Sequence, residues 1–115
     1  MNSENLVQKI VEILKNKKAK NIDIINIKEI SILANYFVIC SGTSTTHIRT
    51  LADELEQKLS ENDGRSPDHK EGYASARWIL LDYGEVVVHI FHEEDRNFYN
   101  LERLWSDGIL TMVDN

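Results

Sequence analysis

The stretch Ala76-Arg-Trp-Ile-Leu-Leu-Asp-Tyr-Gly-Glu-Val-Val-Val-His-Ile-Phe91 decides how this chain folds. Two runs of strand-forming residues flank Tyr83-Gly84, and Gly84 can take positive φ without strain, so the stretch reads as a β-hairpin. With Tyr83 and Gly84 as a two-residue loop, Asp82 faces Glu85, Leu81 faces Val86, Leu80 faces Val87, Ile79 faces Val88 and Trp78 faces His89. Strand side chains alternate between faces, which sorts the hairpin into two surfaces. One carries Ile79, Leu81, Val86, Val88 and Ile90, wholly apolar, and is expected to be a core face. The other carries Trp78, Leu80, Asp82, Glu85, Val87, His89 and Phe91. Aromatic and aliphatic groups beside charge have the composition of an interface core with its polar rim. The same pattern also fits a face covered by a helix of the same domain.

Outward from the hairpin, Pro67 to Gly72 reads as a loop or short edge strand. Before it, Ile48, Leu51, Ala52, Leu55 and Leu59 form one helical stripe, with Asp53, Glu54, Glu56 and Lys58 outside it. Thr43 or Ser44 is the expected N-cap and Gly64 the residue that ends this helix. Tyr36 to Cys40 is apolar enough for a central strand, Asn21 to Ile27 is an isoleucine-rich strand, and residues 28–34 connect the two. Leu6, Val7, Ile10, Val11, Ile13 and Leu14 predict an amphipathic helix over residues 3–18, capped by Ser3. Lys15, Lys17, Lys18 and Lys20 cluster at its end, where cations complement the helix dipole. After Phe91, Glu94 or Asp95 is placed to cap a last helix with the stripe Phe98, Leu101, Leu104 and Trp105. The tail over residues 108–115 is expected to be poorly ordered. The pattern predicts a single α/β (α+β) domain over 1–115, one mixed sheet of four to five strands with three helices.

A chain of 115 residues can bury roughly two thirds of its unfolded surface around one core. The single cysteine, Cys40, rules out an internal disulfide, and a reducing cytosol is the expected location. No apolar run reaches the roughly 18 residues of a membrane span, and the first residues lack a signal-peptide core. The net charge of −6 argues against a broad grip on nucleic acid and suits a basic partner.

Chemistry is sparse. Ser41-Gly-Thr-Ser-Thr-Thr46, between a strand and a helix, could present backbone N–H groups to phosphate. It lacks the further glycines and the lysine of a P-loop, and a plain turn in which Thr43 or Ser44 caps the helix is the stronger explanation. His89 and His92 stand three apart on a strand and point to opposite faces, unlike helical pairs that share a metal. Asp82 and Glu85 flank a turn where solvent is expected, and Cys40 sits in an apolar strand with no motif pairing it to a catalytic histidine. No enzyme emerges from these residues.

Larger motifs carry a resemblance. Leu33-Ala-Asn-Tyr-Phe-Val-Ile-Cys-Ser-Gly-Thr-Ser44, then His47 and Leu51-Ala-Asp53, resembles the first motif of the ribosomal silencing factor family, also called Iojap. Glu71-Gly72, the run Trp78 to Phe91, and Arg96-Asn-Phe-Tyr-Asn-Leu-Glu-Arg-Leu-Trp105 resemble the second. The likeness covers about residues 5–107 and departs at Asn35, where the family usually has aspartate. The resemblance implies a nucleotidyltransferase-like fold used without catalysis, cofactor or metal. It further implies binding to the large ribosomal subunit through protein L-fourteen, which blocks joining of the small subunit and represses translation when nutrients are scarce. Trp78, Asp82, Tyr83, His89 and Phe91 match the second motif and are the implied contact residues. A homodimer through the same face is a further implication. Active transferases of this fold pair a Gly-Ser turn with acids on a neighbouring strand. Here Gly42-Thr43-Ser44 remains, but Val86 to Phe91 carries no acid.

Overall fold

The computed structural model describes residues 2–29, 31–32, 34–95 and 109–112. Helix α1 (Ser3–Asn16) starts where the spacing places it and ends two residues sooner, but its cap is Asn2 rather than Ser3, the Asn2 side-chain oxygen accepting from the Asn5 N–H at 2.8 Å. Asparagine caps as well as serine, and Ser3 is thereby left to accept from Asn35 Nδ2 at 2.8 Å. The departure from the family's aspartate thus falls on a tie between the strand entry and the start of α1. Leu6, Val7, Ile10, Val11 and Leu14 are buried along one stripe, as the spacing predicts.

Strand β1 (Lys20–Asn26) pairs antiparallel with β2 (Tyr36–Gly42). Helix α2 (Thr45–Asp63) follows, capped by Ser44 Oγ, which accepts from the His47 N–H at 3.0 Å. It ends at Gly64, left-handed at φ 63. Next come β3 (His69–Glu71), β4 (Trp78–Asp82) and β5 (Val86–His92), and β6 (Ile109–Met112) lies furthest along the chain.

The strands form one mixed sheet in the order β3-β4-β5-β2-β1-β6. The pair β2–β5 is parallel, with Tyr36 opposite Val86 and Gly42 opposite His92, while the other neighbours run antiparallel. A parallel pair needs a crossover, and α2 lies in the connection from β2 toward β5. The sheet is one strand wider than the pattern predicts, because residues 109–112 pair with Asp23–Asn26 of β1. The loose tail expected from residue 108 therefore does not describe these four residues. The expected helix bearing Phe98 to Trp105 lies outside the described residues.

The hairpin register differs from the expected one. Trp78 is opposite Phe91, Leu80 opposite His89 and Asp82 opposite Val87. Just beyond β4 the Tyr83 N–H donates to the Val86 carbonyl at 2.9 Å, so the loop it closes is Gly84-Glu85. Gly84 at φ +88 takes the first loop position, where the turn needs positive φ, and the Asp82 carboxylate accepts its N–H at 2.8 Å. Cross-strand partners slide by two, an even number, so every side chain keeps the face read from the sequence.

That face assignment builds the core. Ile79, Leu81, Val86, Val88 and Ile90 are fully buried, with Ile22, Tyr36, Val38 and Cys40 of the neighbouring strands, against the stripes of α1 and α2. Each large aliphatic side chain removed from water contributes roughly 1.5–3 kcal/mol before entropy is counted. On the other sheet face Ile25, Ile27, Ala34, Ile39 and Phe91 form a second, smaller cluster, with Phe37, Trp78 and Val87 packed on it. No described helix is long and apolar enough to cross a membrane.

Candidate functional site

The second cluster holds most of the residues singled out by sequence. Because Trp78, Leu80 and Asp82 alternate with core residues along β4, and Val87, His89 and Phe91 along β5, all six project from the sheet face opposite the helices. The Trp78 and Phe91 rings stack at 4.9 Å, their planes 25° apart. Phe37, brought alongside by the parallel β2–β5 pairing, meets His89 edge-on at 4.8 Å.

Trp78 Nε1–H donates to His89 Nδ1 at 3.1 Å. An indole N–H can only donate, so Nδ1 accepts and the neutral imidazole carries its proton on Nε2. His89 is 4% exposed and Phe91 is fully buried, whereas Trp78, Leu80, Asp82 and Val87 are partly exposed. Around this patch the hairpin tip is charged. Arg65 bridges to Glu85 at 2.9 Å and donates to the Tyr83 carbonyl at 2.8 Å, with Asp82 beside them. Tyr83 itself points the other way. It is 2% exposed within the helix-side core, where burial pushes its hydroxyl pKa up. Of the five implied contact residues, the fold therefore gathers Trp78, His89 and Phe91 in one cluster, sets Asp82 at its edge, and buries Tyr83 behind it.

Phe37 and Arg77 belong to this neighbourhood without having been singled out. Phe37 joins only through the non-local β2–β5 pairing, which no spacing rule reveals. The Arg77 guanidinium forks onto Asp95 at 2.7 and 3.0 Å and holds that carboxyl below the usual range. Asp95 thereby anchors the start of β4, and the helix that Glu94 or Asp95 is expected to cap lies outside the described residues.

The Gly42 turn has a structural occupation. The Thr43 N–H donates to His47 Nδ1 at 3.0 Å, and the His47 N–H is taken by Ser44 Oγ. With Nδ1 accepting, His47 Nε2–H donates to the Lys17 carbonyl at 2.8 Å, tying the end of α1 to the start of α2. A Cβ on Gly42 would lie 2.8 Å from Ile48 Cγ1 and 3.2 Å from His47 Nδ1. The glycine and hydroxyls at this turn accommodate the helix and its histidine. His92 lies apart from His89, its Nδ1 accepting from the Glu94 N–H at 3.2 Å.

The family described as "ribosomal silencing factor during starvation" matches residues 1–115. A ribosomal silencing factor of Halalkalibacterium halodurans is 42% identical over 108 residues, covering 94% of this chain and 92% of that protein. Its Bacillus subtilis counterpart is 38% identical over 114 residues, covering 99% and 96%. Among solved structures, a Chromobacterium violaceum protein superposes with a TM-score of 0.88 at 27% identity, covering 100% of this chain and 95% of that one. A Bacillus halodurans protein superposes with a TM-score of 0.81 at 38% identity, covering 98% and 100%. Matched along its length in sequence and in fold, the chain belongs to the ribosomal silencing factor family.

Proposed function

We propose that this ribosomal silencing factor binds the large ribosomal subunit through its protein L-fourteen, with Trp78 as the central anchor. Seated there, a domain of 13.3 kDa obstructs the small subunit and represses translation under nutrient limitation, without a chemical step or cofactor. The observation that carries this reading is the family match along residues 1–115, joined to a partly exposed tryptophan stacked on a fixed aromatic cluster. Buried aromatics dominate interface energetics, and a tryptophan held before binding loses little entropy on contact. Asp82 supplies the charged rim, while His89, Phe91 and Tyr83 set the shape from beneath. A net charge of −6 complements a basic ribosomal protein and disfavours direct contact with RNA. A mouse relative, 31% identical over 102 residues, is named for mitochondrial assembly of the large ribosomal subunit, which agrees with that choice of subunit. A cytoplasmic location and a homodimer formed through the same face complete the reading.

The test is co-sedimentation with purified large subunits, cross-linking to identify the contacted protein, and light scattering to follow subunit joining. Stoichiometric binding, a cross-link to L-fourteen and slowed joining are expected. Binding to the small subunit alone, or joining at an undiminished rate on saturated large subunits, would overturn the proposal. The Gly42 turn offers the rival reading of a phosphate-handling enzyme. Magnesium-dependent nucleotide binding with turnover in calorimetry would establish that rival.

A further inference from the structure

Glu71 of β3 is opposite Leu80 of β4, and a two-residue turn could join adjacent antiparallel strands. The chain instead makes a longer excursion that passes twice through the left-handed region, with Gly72 at φ +82 and Ala76 at φ +53. Gly72 tolerates no side chain, since a Cβ there would lie 2.0 Å from the Trp78 carbonyl oxygen. Ala76 is the unusual member. An alanine adopts this conformation only where its surroundings impose it.

The surroundings do so from several sides. Ala76 is fully buried, and its N–H donates to the Gly72 carbonyl at 3.0 Å. Arg49 of α2 holds the crest of the loop, Nε donating to the Tyr73 carbonyl at 3.1 Å and Nη2 to that of Ala74. Tyr73 donates to Asp53 at 3.0 Å, and the Lys70 ammonium lies 4.2 Å from its ring centroid. On the far side the Arg77 carbonyl accepts the His92 N–H at 2.9 Å, while its guanidinium grips Asp95. Trp78 is the next residue.

We infer that residues 72–77 form a preorganising clamp that fixes the Trp78 ring in its binding pose, with Gly72, Ala76 and Arg49 as positioning residues. The inference rests on the contact role proposed for Trp78. Backbone strain persists where the fold over-determines it, and here it is held directly beside the proposed anchor. An anchor fixed in advance binds more tightly, because apparent affinity scales with the fraction of molecules in the competent pose.

Ala76→Gly is the informative variant, since glycine accepts φ +53 without a clash and frees the loop to relax. In a Trp105→Phe background, acrylamide quenching of the remaining tryptophan reads the mobility of Trp78 without any ribosome. Quenching is expected to rise while the melting temperature holds or increases. Binding to large subunits is expected to weaken about threefold if the competent pose falls to a third of the population. Arg49→Gln, which gives up the fork on the two carbonyls, should shift both readouts the same way. Wild-type quenching and wild-type affinity in both variants would overturn the clamp. Trp78→Ala in the same co-sedimentation separates the two ideas. If it binds like the wild type, the contact role fails, and the quenching result still decides whether residues 72–77 restrain the ring.

Discussion

Trp78 and His89 are joined by an indole-to-imidazole hydrogen bond of 3.1 Å that runs diagonally across the hairpin, since Trp78 pairs with Phe91 and His89 with Leu80. A diagonal contact between long side chains is within reach on one sheet face. It holds the tryptophan ring in one orientation and fixes the proton on His89 Nε2.

Replacing the anchor should therefore separate binding from folding. Trp78→Ala is expected to weaken large-subunit binding by on the order of 2 kcal/mol or more, roughly thirtyfold. Trp78→Phe should lose less, keeping the stack on Phe91 while giving up the hydrogen bond. Co-sedimentation with a thermal melt on each variant checks this. Wild-type affinity in a folded Trp78→Ala protein would remove the residue from the interface.

Phe91 shares the face with Trp78 but is fully buried, and its truncation should act on folding. Phe91→Ala and the core-face variant Ile79→Ala are expected to destabilise by about 3–5 and about 2–5 kcal/mol respectively. For a domain whose total is roughly 5–15 kcal/mol, either loss is large. Chemical denaturation measures it, and midpoints equal to the wild type would show that neither site is closely packed.

Alternation was the most legible signal in this chain. Residues 78–82 and 86–91 sort onto the two sheet faces as alternation predicts although the loop lies one residue further along, because the resulting two-residue slide preserves parity. The stripes of α1 and α2 were equally readable, since helical spacing is local. Neither β2 beside β5 nor β6 beside β1 was legible, because these pairings join distant segments through no local rule. Phe37 entered the candidate site by the first route. The resemblance implies a contact role for Tyr83, yet its side chain lies with those of Ile79 and Leu81 in the helix-side core.

Gly42→Ala tests whether the turn at the start of α2 is built for packing. The added methyl would sit 2.8 Å from Ile48 Cγ1 and 3.2 Å from His47 Nδ1, both on the first turn of the helix. Overpacking of this kind costs about 1–3 kcal/mol. His47→Ala should destabilise as well, releasing both the Thr43 N–H and the Lys17 carbonyl. Urea titrations would show it. A Gly42→Ala protein as stable as the wild type would reopen the question of what the glycine is for.

Acid should uncouple Arg77 from Asp95. The guanidinium hydrogen bonds hold the Asp95 carboxyl below its ordinary value of 3.8. A carboxyl with a depressed folded pKa adds stability in full above its unfolded value. That increment fades as pH falls through the folded value. Asp95→Asn lacks it throughout. Wild type is therefore expected to melt above Asp95→Asn near neutral pH, and the two should converge in strong acid. Melting curves that stay parallel into acid would show that the ion pair contributes nothing.

Tyr83→Phe distinguishes a core residue from a contact residue. The tyrosine hydroxyl is buried with no hydrogen-bond partner among the described residues, on the sheet face that carries the helices. An unsatisfied buried hydroxyl costs about 1–3 kcal/mol, so its removal is expected to stabilise the protein by on the order of 1 kcal/mol. Large-subunit binding should stay at wild-type strength, because the ring keeps supporting the hairpin from behind. Tyr83→Ala, in contrast, should unfold the hairpin tip and weaken binding indirectly. Thermal melts paired with co-sedimentation decide between the roles. Weakened binding in a stable Tyr83→Phe protein would mean that the hydroxyl reaches the partner and that the tip of the hairpin rearranges on contact.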